Sequence, residues 1–233
     1  MNLRWKKALI SSAVAFTGFM AFGGFLHTSA GRPLLRRIGG CPVGKVSPTV
    51  VQAERDRVVA SQRGTASAPE GVLPLALRRD DLSTVKAWTK AKKLECEEKR
   101  EGTVYACTNV PAQVFDDSAP AGDVLPELVF GFRVETKKLE SIQAFRTGLT
   151  AAQAAAHTNR VRDRLRSKLG APTVDKGPGD STGPYDAATL GKPFATVSVQ
   201  YRFSDLVIDV TTTSIPGSGV AFRENYLSGL AGS

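Results

Sequence analysis

From Ala195 to Phe203 the side chains take strict turns: Ala195, Val197, Val199, Tyr201 and Phe203 are apolar, while Thr196, Ser198, Gln200 and Arg202 are polar. A period of two is the pattern of a strand with one buried and one solvated face. With Ser204-Asp205 as the turn, Phe203 faces Leu206, Tyr201 faces Ile208 and Val199 faces Val210. These six apolar side chains share one face. A slip of one residue would turn them all to water, so the register is fixed. Such a hairpin has to bury that face against something else in the chain.

A second hairpin is centred on Arg100-Glu101-Gly102-Thr103 and sets Cys96 opposite Cys107. Facing Cβ atoms of an antiparallel pair lie ~4.5–5.5 Å apart, close to disulfide geometry. A disulfide between Cys96 and Cys107 is therefore expected. The alternative is a pair of reduced core cysteines. Leu128–Val134 and Leu139–Phe145 form a third hairpin, in which Phe132 faces Ile142 and Phe130 faces Ala144. Val72 to Leu77 (VLPLAL) reads as a short strand that Pro74 confines to an edge.

Two helices accompany these strands. Asp80 or Asp81 caps the first, which runs to about Lys92 with Leu82, Val85 and Trp88 on one stripe. Thr150 caps the second, which runs to Leu169 and is stopped by Gly170 with Pro172 beyond. Ala154, Val161, Leu165 and Leu169 form its inner stripe. The order is β-α-β-β, then β-β-α-β-β, which is compatible with an ancient duplication. It implies an α+β fold, a two-layer sandwich of antiparallel β-hairpins with two packing helices, preceded by an N-terminal hydrophobic helix.

That hydrophobic helix is residues 8–26, nineteen residues without a charge behind the basic stretch Met1–Lys7. As a helix it would span ~28 Å, about one hydrocarbon core. It is either a cleaved signal, with Thr28-Ser29-Ala30 before the cut, or a retained anchor that holds the protein to a membrane. Three basic residues lie on each side (Arg4, Lys6, Lys7 and Arg32, Arg36, Arg37), so charge alone does not orient it. The expected disulfide does, placing the rest of the chain in an oxidising compartment. Three segments result: 1–30 as signal or anchor, 31–71 as basic linker with a polar helix, and 72–233 as exported domain. The polar helix runs from Ser47-Pro48 towards Gly64, with Val51 and Val58 as its main apolar pair. It looks too polar for a core.

The net charge is +9, but residues 1–46 supply seven basic residues and no acid. The nearly neutral remainder lacks the field that nucleic-acid binding requires, so no nucleic-acid partner is expected. Cys41 ends a lipobox-like Ile38-Gly39-Gly40-Cys41, but Arg36-Arg37 directly upstream argue against lipidation. Gly39–Lys45 has phosphate-loop spacing, yet Val46 stands where a magnesium-binding hydroxyl is needed. An odd thiol at Cys41 can still join two chains.

Catalytic residues are scarce. Of the two histidines, His27 closes the apolar segment and His157 lies mid-helix, read as a surface or half-buried side chain. Ser181, in Gly179-Asp180-Ser181-Thr182-Gly183, sits in the long Gly/Pro-rich connection 171–193, and a hydrolase would have to pair it with His157. Glu95 and Glu97 share a strand face, but a charged edge that resists aggregation explains them better. The scattered thiols and imidazoles suit no zinc site, and no cofactor is expected. One surface feature stands out: His157, Arg160, Arg164 and Lys168 fall on one helical face. Such stems usually snorkel into solvent, and the alternative is an anionic partner, an envelope lipid, polysaccharide or protein patch. The expected function is an exported or membrane-anchored non-catalytic binding module of the cell envelope. An envelope hydrolase using the loop serine or carboxylates, and a self-associating structural envelope protein, are the alternatives.

Overall fold

Helix α1 (Pro48–Ser61) is followed by α2 (Leu82–Ala91), β1 (Glu95–Lys99), β2 (Val104–Pro111), β3 (Val124–Phe132) and β4 (Leu139–Leu149). Then come α3 (Ala151–Leu169), β5 (Val174–Lys176), α4 (Ala187–Leu190), β6 (Thr196–Arg202), β7 (Leu206–Ile215) and β8 (Gly219–Ser228). These are the elements of a computed structural model that describes residues 48–229. The apolar segment 8–26, His27 and Cys41 lie outside the described residues. Among the described residues no helix is long and apolar enough to cross a membrane.

The strands form one antiparallel eight-stranded sheet in the order β1-β2-β3-β4-β8-β7-β6-β5. The order is a palindrome of two four-strand units, each preceded by a helix, and the units meet where β4 pairs with β8. The fold is α+β.

Local chemistry explains the helix limits. The Asp81 carboxylate accepts the Thr84 N–H at 3.0 Å and starts α2. Thr150 and Gln153 exchange side-chain-to-backbone bonds of 3.2 and 3.0 Å, a capping box that starts α3. Gly170 ends α3 in the left-handed region (φ 78), where its N–H reaches the Arg166 carbonyl. Val85 and Trp88 bring α2 onto Phe130, whose ring meets Trp88 edge-on at 6.1 Å. Ala154, Val161 and Leu165 bring α3 onto the same face, and Thr158 bonds Thr212 of β7 at 2.7 Å.

The Tyr201–Ile208 and Val199–Val210 pairings occur as expected from the sequence, and so does Cys96 opposite Cys107. The β3–β4 register differs by two residues: Phe130 pairs with Ile142, and Leu128 with Ala144. An even slip keeps every apolar side chain on its face, so alternation cannot detect it. The turn decides instead, closed by Arg133 N–H to Lys138 O at 2.9 Å, with an irregularity at Gly131/Phe132. Val72–Leu77 is not a strand. Pro74 withholds a donor, Ala76 N–H bonds the Asp80 carboxylate, and Arg78 N–H bonds Leu139 O at the start of β4. The expected order omits β8, although this strand joins the two halves.

Helix α1 packs by different residues from those its apolar pattern suggests. Val58 is 45% exposed, while its neighbour Val59 is 2% exposed. Gln52 donates to the Glu140 carboxylate and Arg55 to the Glu140 carbonyl, at 3.0 and 2.9 Å. A Cβ built on Gly131 would meet Ser141 Oγ at 2.5 Å and Arg55 Nη1 at 3.7 Å. Gly131, Ser141, Leu227 and Val207 form one cross-strand row on the face away from α2 and α3. From Gln52 onward α1 therefore lies over that row, at one end of the second sheet face.

Candidate binding surface

The hairpin carrying Cys96 and Cys107 is closed by their disulfide. Cys107 is fully buried in the core, with Cys96 packed at its margin. Glu95 and Glu97 project from the outer face of this edge strand, and Glu97 pairs with Lys99.

The basic face of α3 meets the protein's own carboxylates. Arg164 bonds Glu224 and the Tyr226 hydroxyl on β8 and lies 3.3 Å from Asp116. Arg160 reaches Asp116 and Asp123 at 3.3 and 3.1 Å. Asp123 is also gripped by both terminal nitrogens of Arg146 at 2.9 Å. Lys168 stands 3.8 Å from Asp117, with both side chains exposed. Thus Arg146, Arg160 and Arg164 are balanced by Asp116, Asp123 and Glu224. An external anion would have to displace these acids. The segment carrying Asp116 and Asp123, between β2 and β3, folds over α3 with Phe115 edge-on to Tyr226 at 5.6 Å. Burial alone would raise the Asp116 carboxyl, but Arg164, two bonds from Ser118 and Arg160 hold it below its ordinary value.

His157 is buried rather than at the surface. Its ring stands edge-on to Phe222 at 4.3 Å, and Nδ1 accepts from Arg160 at 2.7 Å. Burial first, then the Arg146 and Arg160 charges, lower its pKa to about 3. It is neutral at pH 7. No hydrogen bond joins it to Ser181, whose hydroxyl donates to Pro178 O at 3.0 Å on the exposed loop. Connection 171–193 is ordered around Tyr185, which bonds Asp175 at 2.6 Å and, through its backbone, Asn159 of α3. Among the described residues no three His, Cys, Asp or Glu are grouped to hold a metal ion.

The sheet face opposite α2 and α3 carries the alternate residues of every strand. One cross-strand row runs Val129–Gln143–Asn225–Asp209–Gln200, and the next runs Glu127–Phe145–Arg223–Thr211–Ser198. Asp209 organises the second half of this face, accepting from Arg223 at 3.1 Å and Thr211 at 3.0 Å. Arg202 donates to Gln200 at 2.9 Å. Gln143 and Asn225 sit side by side where the two halves meet. Among the described residues neither carboxamide has a hydrogen-bond partner. Phe145, half-buried, lies next to them across from Arg223. The polar alternates of β6 were legible from the sequence. Those of β8 were not, because Glu224 occupies an inward position and breaks its apolar pattern.

The chain matches no protein-family model, no curated protein and no solved structure.

Proposed function

We propose that this chain is an exported, non-catalytic binding module of the cell envelope, and that its second sheet face is the binding surface. The observation that carries this reading is the asymmetry of the sheet. One face is filled by α2 and α3, while the other presents two mainly polar cross-strand rows in which, among the described residues, Gln143 and Asn225 are unengaged beside Phe145. Unengaged amide groups beside an aromatic ring supply donors, acceptors and apolar area to an incoming surface. The disulfide fits an oxidising compartment, which agrees with residues 8–26 acting as signal or anchor. Helices α2 and α3 support the role, since they brace the sheet behind the surface.

The test is a photo-crosslinking amino acid placed at Gln143 and, separately, at Lys90, which is exposed on α2. Each variant is expressed in the native host. Adducts from Gln143 and none from Lys90 are expected. Adducts from Lys90 alone would refute the assigned surface, and none from either would refute the binding role. Thiol alkylation of the recovered protein before and after reduction checks the compartment: Cys96 and Cys107 should react only after reduction.

A further inference from the structure

Among the described residues the charges on the second sheet face are segregated. On β1–β3 the outward positions carry three acids, Glu95, Glu97 and Glu127, against one base, Lys99. On β5–β8 they carry three bases, Lys176, Arg202 and Arg223, against one acid, Asp209. Glu97–Lys99, Arg223–Asp209 and Lys176–Asp180 pair internally. Among the described residues Glu95, Glu127 and Arg202 have no ion-pair partner within 4.0 Å; Arg202 starts from the row at the α1 end and turns its guanidinium to Gln200 of the neighbouring row. The two four-strand units thus show opposite signs across the β4–β8 seam, where Gln143 and Asn225 lie.

From Gln52 onward helix α1 walls one end of this face and crosses the strands in a defined sense. Gln52 and Arg55 sit over β4, and Gly64, just past its C-terminus, packs on the Arg202 carbonyl of β6. Its partially negative C-terminal end therefore points to the basic half. Eight strands at ~4.8 Å spacing give ~34 Å across, and ten-residue strands less one helix width leave about 20 Å along them. With β1 five and β5 three residues long the face tapers at both edges, which leaves an area at the low end of protein–protein interfaces, below the ~800 Å² per partner of a standard one.

We infer that the trough beside α1 takes a protein segment laid across the strands, with its cationic part over β1–β3 and its anionic part over β5–β8. This rests on the binding-module reading above and adds the partner's class and polarity. A uniform polyanion would be repelled by half of the surface, and a neutral glycan would leave Glu95, Glu127 and Arg202 without counter-charges.

The experiment places a benzophenone amino acid at Thr108, on the acidic half, and at Ser198, on the basic half, in the full chain expressed in its native host. Cross-linked peptides are then sequenced. One partner protein is expected from both positions, with Lys/Arg-rich peptides at Thr108 and Asp/Glu-rich peptides at Ser198. Glu127→Lys should cut the Thr108 adduct, and Arg223→Glu the Ser198 adduct, each by about tenfold at low salt; circular dichroism confirms that both variants fold. Protein adducts of the reversed polarity, or adducts insensitive to both reversals, would overturn the polarity and leave the binding role standing. A non-protein adduct overturns the partner class alone. No adduct from Thr108, Ser198, Gln143 or Lys90 would remove the binding role as well.

Discussion

The Gln52 carboxamide donates to the Glu140 carboxylate across 3.0 Å, although eighty-eight residues of chain separate them. Glu140 also takes a 2.8 Å bond from Arg133, which lies 3.3 Å from Asp56 of α1. A helix with a weak apolar stripe is thereby docked on a sheet by charged and polar groups. Its one deeply buried apolar side chain among those described is Val59.

Val59→Ala is expected to cost about 2 kcal/mol by the loss of buried methyl groups. Val58→Ala, at an exposed position, should stay within about 0.5 kcal/mol. Urea denaturation of the two variants measures the contrast. Equal effects would mean that α1 presents a different side to the sheet. Glu140→Gln should speed amide hydrogen exchange in residues 52–61 while β7 and β8 stay protected.

Removing the disulfide with Cys96→Ala and Cys107→Ala should lower stability by about 2 kcal/mol, since the bond spans eleven residues and closes only a short loop. Thermal midpoints of the unmodified protein with and without reductant give an independent reading. Identical midpoints would show that the bond contributes nothing.

The Arg164–Glu224–Tyr226 contact is buried, and each member bonds the other two. Glu224→Gln leaves a buried guanidinium facing Asp116 alone, and about 3 kcal/mol of stability should go with it. Tyr226→Phe should cost about 1–2 kcal/mol. Replacing both charged partners, Arg164→Met with Glu224→Leu, should cost less than the sum of those two changes made separately. A double-mutant cycle by chemical denaturation gives the comparison.

His157 titrates near pH 3 in the folded protein against about 6.5 when unfolded. Between those values the unfolded chain binds the extra proton, so stability falls as pH drops from 6.5 towards 3 and is fully present above 6.5. The slope from this one group is at most about 1.4 kcal/mol per pH unit. His157→Gln, which cannot take the proton, should flatten the stability–pH curve in that window. A curve of unchanged steepness would mean that the imidazole is hydrated in the folded state.

The sequence alone determined whatever depends on neighbouring residues. Alternation together with the Ser204-Asp205 turn set the Tyr201–Ile208 and Val199–Val210 pairs, a short symmetric turn put Cys96 opposite Cys107, and Asp80 or Asp81, Thr150 and Gly170 bounded the helices, Asp81 proving to be the cap of α2. Periodicity and capping act over a few residues, so they are readable in one dimension. Only the tertiary structure decided that β8 lies at the centre, that α1 docks through Glu140, and that the basic face of α3 is spent on Asp116, Asp123 and Glu224. The reason is physical. A charged side chain looks solvent-facing in a sequence, and it enters the interior only when an opposite charge from a distant segment offsets its desolvation, a partnership that no local pattern records.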